Sequence, residues 1–167
     1  MTSAYQLFVD LDGVLADFDH GVEELTGSRP AQLSPKAMWP RLARTPAFYA
    51  RLPWAQDGPE LWQRVAPLDP VILTGLPRGN WAKPQKLAWC ERELGPEVPV
   101  ITCMSREKAD RAVEWIAEHR NGTADRVTPV LIDDREKLRE AWEAAGGIFI
   151  HHIDAPTSVA RLADLGL

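Results

Sequence analysis

The chain has 167 residues, with 19 Lys or Arg against 24 Asp or Glu for a formal net charge of −5, and 45% of its residues are hydrophobic. One domain of this length buries roughly 70% of the surface its unfolded chain exposes, so neither a disulfide framework nor a structural metal is needed to hold it. The acidic balance argues against a broad basic face for polymeric nucleic acid or an anionic membrane, while a small anionic ligand can still bind where positive charge is gathered locally.

Cys90 and Cys103 form no C-x-x-C and have no histidine at ligand spacing, which points to reduced thiols. Residues 1–6 show no basic region followed by an apolar run, and no window approaches the roughly 18 apolar residues of a membrane span. A cytoplasmic protein with no membrane partner is expected.

In chain order, Tyr5–Asp10 (YQLFVD) is a short apolar run of strand formers and reads as a buried parallel strand. The pattern breaks between Gly21 and Pro67, a stretch carrying Trp39, Phe48, Tyr49, Trp54 and Trp62, with short helices expected near Pro40–Arg51 and Pro59–Ala66. Prolines crowd the middle of the chain, 12 of the 14 lying between Pro30 and Pro99. So long a connection needs structure or function of its own, and reads as a small helical cap inserted after the first strand, over about 21–67. Val71–Thr74 (VILT) is the second strand, Lys86–Leu94 a helix closed by Gly95, and Val98–Thr102 (VPVIT) the third strand. Ala109, Ala112, Val113, Ile116 and Ala117 share a helical face, with Ser105 placed to cap its start and Asn121-Gly122 its end. Val130–Ile132 (VLI) is the fourth strand. Leu138, Ala141, Trp142 and Ala145 form a further helical face stopped by Gly146 and Gly147, and Ile148–His151 (IFIH) is the fifth strand.

Strand and helix alternating at these lengths imply right-handed βαβ units. The expected fold class is α/β, a three-layer Rossmann-like parallel sheet whose core covers about 1–20 and 68–167. Ligands of such sheets bind at the carboxyl ends of the strands. Those ends carry Asp10 and Asp12, then Thr74, then Cys103 to Lys108, then Asp133 and Asp134. Four converging carboxylates need a cation, and an all-oxygen donor set suits Mg²⁺. Hydroxyl, lysine and backbone amides nearby offer a phosphoryl cradle. Asp10 is placed to attack phosphorus and form an aspartyl-phosphate; Asp12 is placed to protonate the leaving oxygen and later deprotonate water.

These residues resemble a known pattern. Phe8-Val9-Asp10-Leu11-Asp12-Gly13-Val14-Leu15, Ile72-Leu73-Thr74, Lys108 and Leu131-Ile132-Asp133-Asp134 are similar, in order, to motifs I to IV of the haloacid dehalogenase superfamily. Within it the chain resembles the 5'(3')-deoxyribonucleotidases through DLDGVLADFD (Asp10–Asp19), Phe48-Tyr49-x-x-Leu52-Pro53 with Gly58, Lys86-Leu87-Ala88-Trp89-Cys90-Glu91, and Ser105-Arg106-Glu107-Lys108. The resemblance implies an α/β core with a small cap, Mg²⁺ held by Asp10, Asp12, Asp133 and Asp134 with Asp134 the favoured direct ligand, and Asp10, Asp12, Thr74 and Lys108 as catalytic residues. It places Phe18, Trp39, Gly75, Arg78 and Lys86 against a nucleoside monophosphate, and leaves dimerisation open.

The chain also departs from that family. Gly75 stands where a serine is usual, so one phosphate-binding hydroxyl is lacking and the backbone amide remains. The cap between Gly27 and Ser34 is shorter and lacks an aromatic pair, and the link from Lys108 to Asp133 is longer.

Plainer readings stand beside these. Asp10 with Asp12, or Asp133 with Asp134, are residue types that cap helices; Thr74 suits strand packing; Lys108 reads otherwise as surface charge, although its place in a first helical turn opposes the dipole and favours a site role. Phe18 and Trp39 divide between pocket wall and cap core, Arg78 and Lys86 between substrate contact and solvated surface, whereas Trp62, Trp89, Trp115, Trp142 and His151-His152 read as structural. The leading expectation is a Mg²⁺-dependent phosphomonoesterase acting on a nucleoside monophosphate. A phosphatase of a sugar phosphate or similar small ester is the alternative, and a phospho-accepting signalling domain a remote one.

Overall fold

The computed structural model describes residues 4–120 and 127–167. Its sheet has five parallel strands: β1 (Ala4–Val9), β2 (Val71–Gly75), β3 (Val100–Cys103), β4 (Val127–Asp133) and β5 (Ile148–His151), in the order β3-β2-β1-β4-β5. The helices are α1 (Phe18–Thr26), α2 (Pro35–Arg44), α3 (Gly58–Val65), α4 (Ala82–Leu94), α5 (Lys108–His119), α6 (Arg139–Ala144) and α7 (Ala155–Asp164). The α/β, three-layer Rossmann-like reading therefore stands.

Alternation along the strands sorts side chains into two cores. Leu7, Val9, Ile72, Ile132 and Ile150 point to one face, where they meet Leu61 and Val65 of α3, Trp89 of α4 and Leu162 of α7. Phe8, Val71, Leu73, Leu131 and Phe149 point to the other and meet Ala112 and Ile116 of α5 and Trp142 of α6. Because β1 is central and covered on both faces, it reads as an unbroken apolar run.

Several boundaries move, each for a local reason. The helix expected near Pro40–Arg51 is α2, which starts at Pro35: Ser34 caps it through the Ala37 amide, Pro35 occupies the first turn, and Pro40 lies inside. A short 3₁₀ turn over Tyr49–Arg51 follows separately. β4 begins three residues before the expected Val130, and Pro129 is tolerated because pairing with β5 begins only at Val130. Ser105 does not cap α5; it opens a 3₁₀ turn over Ser105–Glu107 that runs into the helix, and the expected stop at Asn121-Gly122 lies outside the described residues. The helix read as Lys86–Leu94 begins a turn earlier, at Ala82.

The connection from β1 to β2 is helical, as expected of a cap, but α3 belongs with the sheet: Leu61 and Val65 lie in its core, and Asp57 accepts from the first amide of α7. The part overhanging the carboxyl edge is thus α1, α2 and the Tyr49 turn. Both cysteines are buried and unpaired, and burial pushes Cys90 up to about 12 and Cys103 up to about 11, so both remain thiols. Among the described residues no helix is long and apolar enough to cross a membrane.

Phe8 is fully buried, with the rings of Trp115 and Trp142 edge-on at 6.1 and 5.8 Å. Phe8→Ala is expected to cost about 3–5 kcal/mol of stability in denaturant unfolding, whereas Ile153→Ser, at a side chain 72% exposed, should cost almost nothing.

Candidate active site

Strand register assembles the site. Val9 pairs with Ile132, and the Asp10 amide donates to the Ile132 carbonyl at 2.9 Å, so Asp10 and Asp133 leave neighbouring strands side by side. After Asp10 the chain turns back on itself, with the Leu15 and Ala16 amides both donating to the Leu11 carbonyl at 2.9 Å. Gly13 makes this possible with a φ of +78°, and any Cβ there would overlap the Asp134 carboxylate.

Asp10, Asp133 and Asp134 each present an oxygen within 4.8 Å of the others. Into this group α5 lowers Lys108, whose ammonium donates to Asp10 Oδ1 at 2.9 Å and to Asp133 Oδ2 at 2.6 Å. Burial alone would pull the lysine down, but the two carboxylates outweigh it and push it above its ordinary range, so it stays charged. Asp133 is raised by burial and then by Asp10. Asp134 is open to the pocket by surface area, yet its carboxyl is walled in by the Gly13 turn; loss of solvation, then repulsion from Asp10 and Asp133, pushes it up to about 7. Once all three carboxyls are ionised, above the range to which Asp134 is pushed, three carboxylates against one ammonium leave two negative charges uncompensated, and the donor set is wholly oxygen. A hard divalent cation fits that set. Both oxygens of Asp133 are already engaged, by Lys108 and by the Arg135 amide at 2.9 Å, which leaves Asp10 and Asp134 with the open positions.

Asp12 stands apart from this group. Its Oδ2 accepts from Lys86 at 2.6 Å, while its Oδ1 is buried with no hydrogen-bond partner. Burial raises this carboxyl against the opposing pull of Lys86. Lys86 is itself 1% exposed, and donates also to Thr74 Oγ1 at 3.0 Å and the Gly75 carbonyl at 2.7 Å. With its three donors used, it lies behind the site.

A cavity of about 270 Å³ opens over these groups. Phe18, Trp39 and Tyr49 wall its cap side, with Phe18 stacked on Tyr49 at 5.9 Å and Tyr49 on Trp81 at 5.3 Å. Burial, then the charges of Asp12 and Asp10, hold the Tyr49 phenol well above its usual range, so it remains a neutral donor. The core side is lined by Gly75, Leu76, Ser105 and Arg135, with Arg135 Nη1 donating to Ser105 Oγ at 2.8 Å.

Of the sequence-predicted site residues, Asp10, Asp12, Phe18, Trp39, Gly75, Lys108 and Asp134 line the cavity, and buried Asp133 joins the acidic group beneath it. Four of the candidates sit differently from the placement expected of them. Asp12 is not among the three carboxylates that converge; its Oδ2 is paired with Lys86. Thr74 is fully buried with its hydroxyl turned to Lys86, Lys86 is spent on Asp12 instead of facing a ligand, and Arg78 is exposed outside the cavity lining. Tyr49, Asp19, Ser105 and Arg135 line the cavity without having been singled out as site residues. A Cβ on Gly75 would collide with Ser105 Oγ, so glycine there makes room for a hydroxyl from the 3₁₀ turn that follows β3. Comparison with protein-family models, curated proteins and solved structures returns no match.

The carboxyl at 134 yields a pH signature. An aspartate titrates near 3.9 in an unfolded chain, whereas Asp134 holds its proton up to about 7. The folded state therefore binds more protons across that window, and the group's cost to stability grows as pH rises through it. Asp134→Asn should match the wild-type melting temperature near pH 4 and exceed it at pH 8 in the absence of divalent cations, measured by calorimetry. Millimolar Mg²⁺ should raise the wild-type melting temperature at pH 8 and leave that of Asp134→Asn almost unchanged.

Proposed function

We propose that this chain is a Mg²⁺-dependent phosphomonoesterase of the haloacid dehalogenase type, acting through an aspartyl-phosphate on Asp10, with a nucleoside monophosphate as its substrate class. What carries the reading is the division between two neighbouring carboxylates. Asp10 is clamped to an ammonium inside an acidic group, whereas Asp12 keeps one buried, unpartnered oxygen beside the same cavity.

Asp10 and Asp134 would hold the cation, with Asp133 oriented behind them by Lys108 and the Arg135 amide. When bound, it supplies charge neutralisation for the incoming phosphate and for the attacking carboxylate. Among the described residues only Oδ1 of Asp10 accepts a side-chain hydrogen bond, from Lys108, which leaves Oδ2 to attack phosphorus. The P–O ester bond breaks as the new Asp10–phosphorus bond forms, and the departing oxygen takes its proton from Asp12. Water then attacks the phosphoryl group, Asp12 takes the water's proton back, and orthophosphate leaves with the Asp10 carboxylate restored. The raised carboxyl of Asp12 suits a group that must hold a proton before it gives one away.

The aromatic wall offers flat faces to a base, which favours a nucleotide over a sugar phosphate. A phospho-accepting signalling domain fits poorly, because flavodoxin-like modules of that kind have the strand order 2-1-3-4-5 and this sheet runs β3-β2-β1-β4-β5.

Asp10→Asn should abolish Mg²⁺-dependent phosphate release from p-nitrophenyl phosphate and nucleoside 5'-monophosphates, and trap no acid-stable phosphoenzyme, with the fold retained by circular dichroism. Asp12→Asn should lose about 10²- to 10⁴-fold in kcat while still accumulating phosphoenzyme from p-nitrophenyl phosphate, whose leaving group needs no proton. Wild-type protein that releases no phosphate from any ester overturns the proposal.

A further inference from the structure

The core side of the cavity continues into a groove of about 310 Å³ lined by Leu76, Met104, Ser105, Arg106, Arg135, Lys137 and Leu138. Leu76, Ser105 and Arg135 line both spaces, so the two are contiguous. The groove carries three cationic side chains and no acid, in a protein whose acids outnumber its bases 24 to 19. Its neighbour over α6 repeats the pattern, with Arg106, Lys108 and Lys137 and again no acid.

Asp134, next to Arg135 in sequence, lines the adjoining cavity and not the groove, and two other neighbouring acids are engaged. Glu107 accepts from the Met104 amide, and Glu136 is taken by Arg139 and His151. Arg106 and Lys137 are exposed and, among the described residues, enter no ion pair or side-chain hydrogen bond. Arg135 spends one nitrogen on Ser105 Oγ. Three cations gathered against an acid-free wall repel one another and attract a multiply charged anion.

The placement defines the ligand. The aromatic wall lies on the α4 face of the sheet, the groove on the α5–α6 face, and Asp10 between them. A molecule with its scissile phosphate at Asp10 can lay a planar group on one side and a second anionic group on the other. We infer that the basic groove is a second phosphate site, which narrows the nucleotide reading to a nucleotide that carries a second phosphate group beside the scissile one, a nucleoside bisphosphate meeting both walls. This rests on the phosphatase reading for the first phosphate, but not for the second.

The test measures binding, so that it does not depend on turnover. Asp10→Asn protein with Mg²⁺ is titrated calorimetrically with adenosine 3',5'-bisphosphate and adenosine 5'-monophosphate, and with fructose 1,6-bisphosphate and fructose 6-phosphate. At low salt the bisphosphate of each pair should bind about tenfold more tightly, the margin should shrink as ionic strength rises, and Arg106→Gln with Lys137→Gln should erase it while leaving monophosphate affinity unchanged. The adenosine pair should bind more tightly overall than the fructose pair. Single Lys137→Glu, at an exposed site, should invert the margin and guards against a folding defect in the double variant. Equal affinities within each pair, or a margin that survives both variants, overturn the second phosphate site; a larger margin for fructose retains the site and overturns the nucleoside assignment. If wild-type protein hydrolyses no ester yet the margin appears, the function above fails and the groove stands.

Discussion

A buried ammonium organises this molecule. Lys108 is 3% exposed, and removing a charge from water costs several kcal/mol unless partners repay it. The partners are Asp10 from the end of β1 and Asp133 from the end of β4, adjacent because Val9 pairs with Ile132. Helix α5, arriving from the far edge at β3, must therefore dock at the depth and rotation that bring its first residue between those strands. A slip of one residue in the β1–β4 register would turn one of the acids to the opposite face and strand the charge. Fold and chemistry answer to the same constraint.

Two lysines buried beneath or behind the cavity hold its first two aspartates, and they hold them differently. Lys108 is shared between two acids and so neutralises neither fully, which keeps a demand for positive charge at Asp10. Lys86 gives one bond to Asp12 and two to uncharged oxygens, Thr74 Oγ1 and the Gly75 carbonyl. It fixes the Asp12 carboxylate by one oxygen and leaves the other bare. The ring of Tyr49, with Lys86 Nζ at 4.4 Å from its centroid, closes the space above this second pair.

The sheet was legible in the sequence because its strands are buried on both faces and so appear as apolar runs. The acids after β1 and β4 and Lys108 were legible because chemistry at strand ends depends on position along the chain. Proline misled in two places. Pro40 suggested a helix start when the true signal was Ser34-Pro35, and Pro129 truncated β4 although the neighbouring strand begins one residue later. The direction in which a side chain turns was not legible. Thr74 and Lys86 sit where a ligand contact is expected, yet each satisfies the other, since burial at 0% and 1% leaves no room for a partner from solvent. Ser105 reads from the sequence as a helix cap and Arg135 not at all, because their pairing in the cavity wall joins residues 30 positions apart in sequence.

The overhanging segment has no core of its own. Val22 of α1, Met38 and Leu42 of α2 and Phe48 belong to the same apolar cluster as Leu7 and Val9 of the central strand, and Trp89 of α4 donates to the Leu52 carbonyl just beyond the Tyr49 turn. Swinging the overhang away would tear that cluster apart and expose several large side chains to water. The roof is a fixed eave, without a hinge. A small solute meets Asp10 beneath a roof that already stands in place, so its arrival there waits on no closing of α1 and α2.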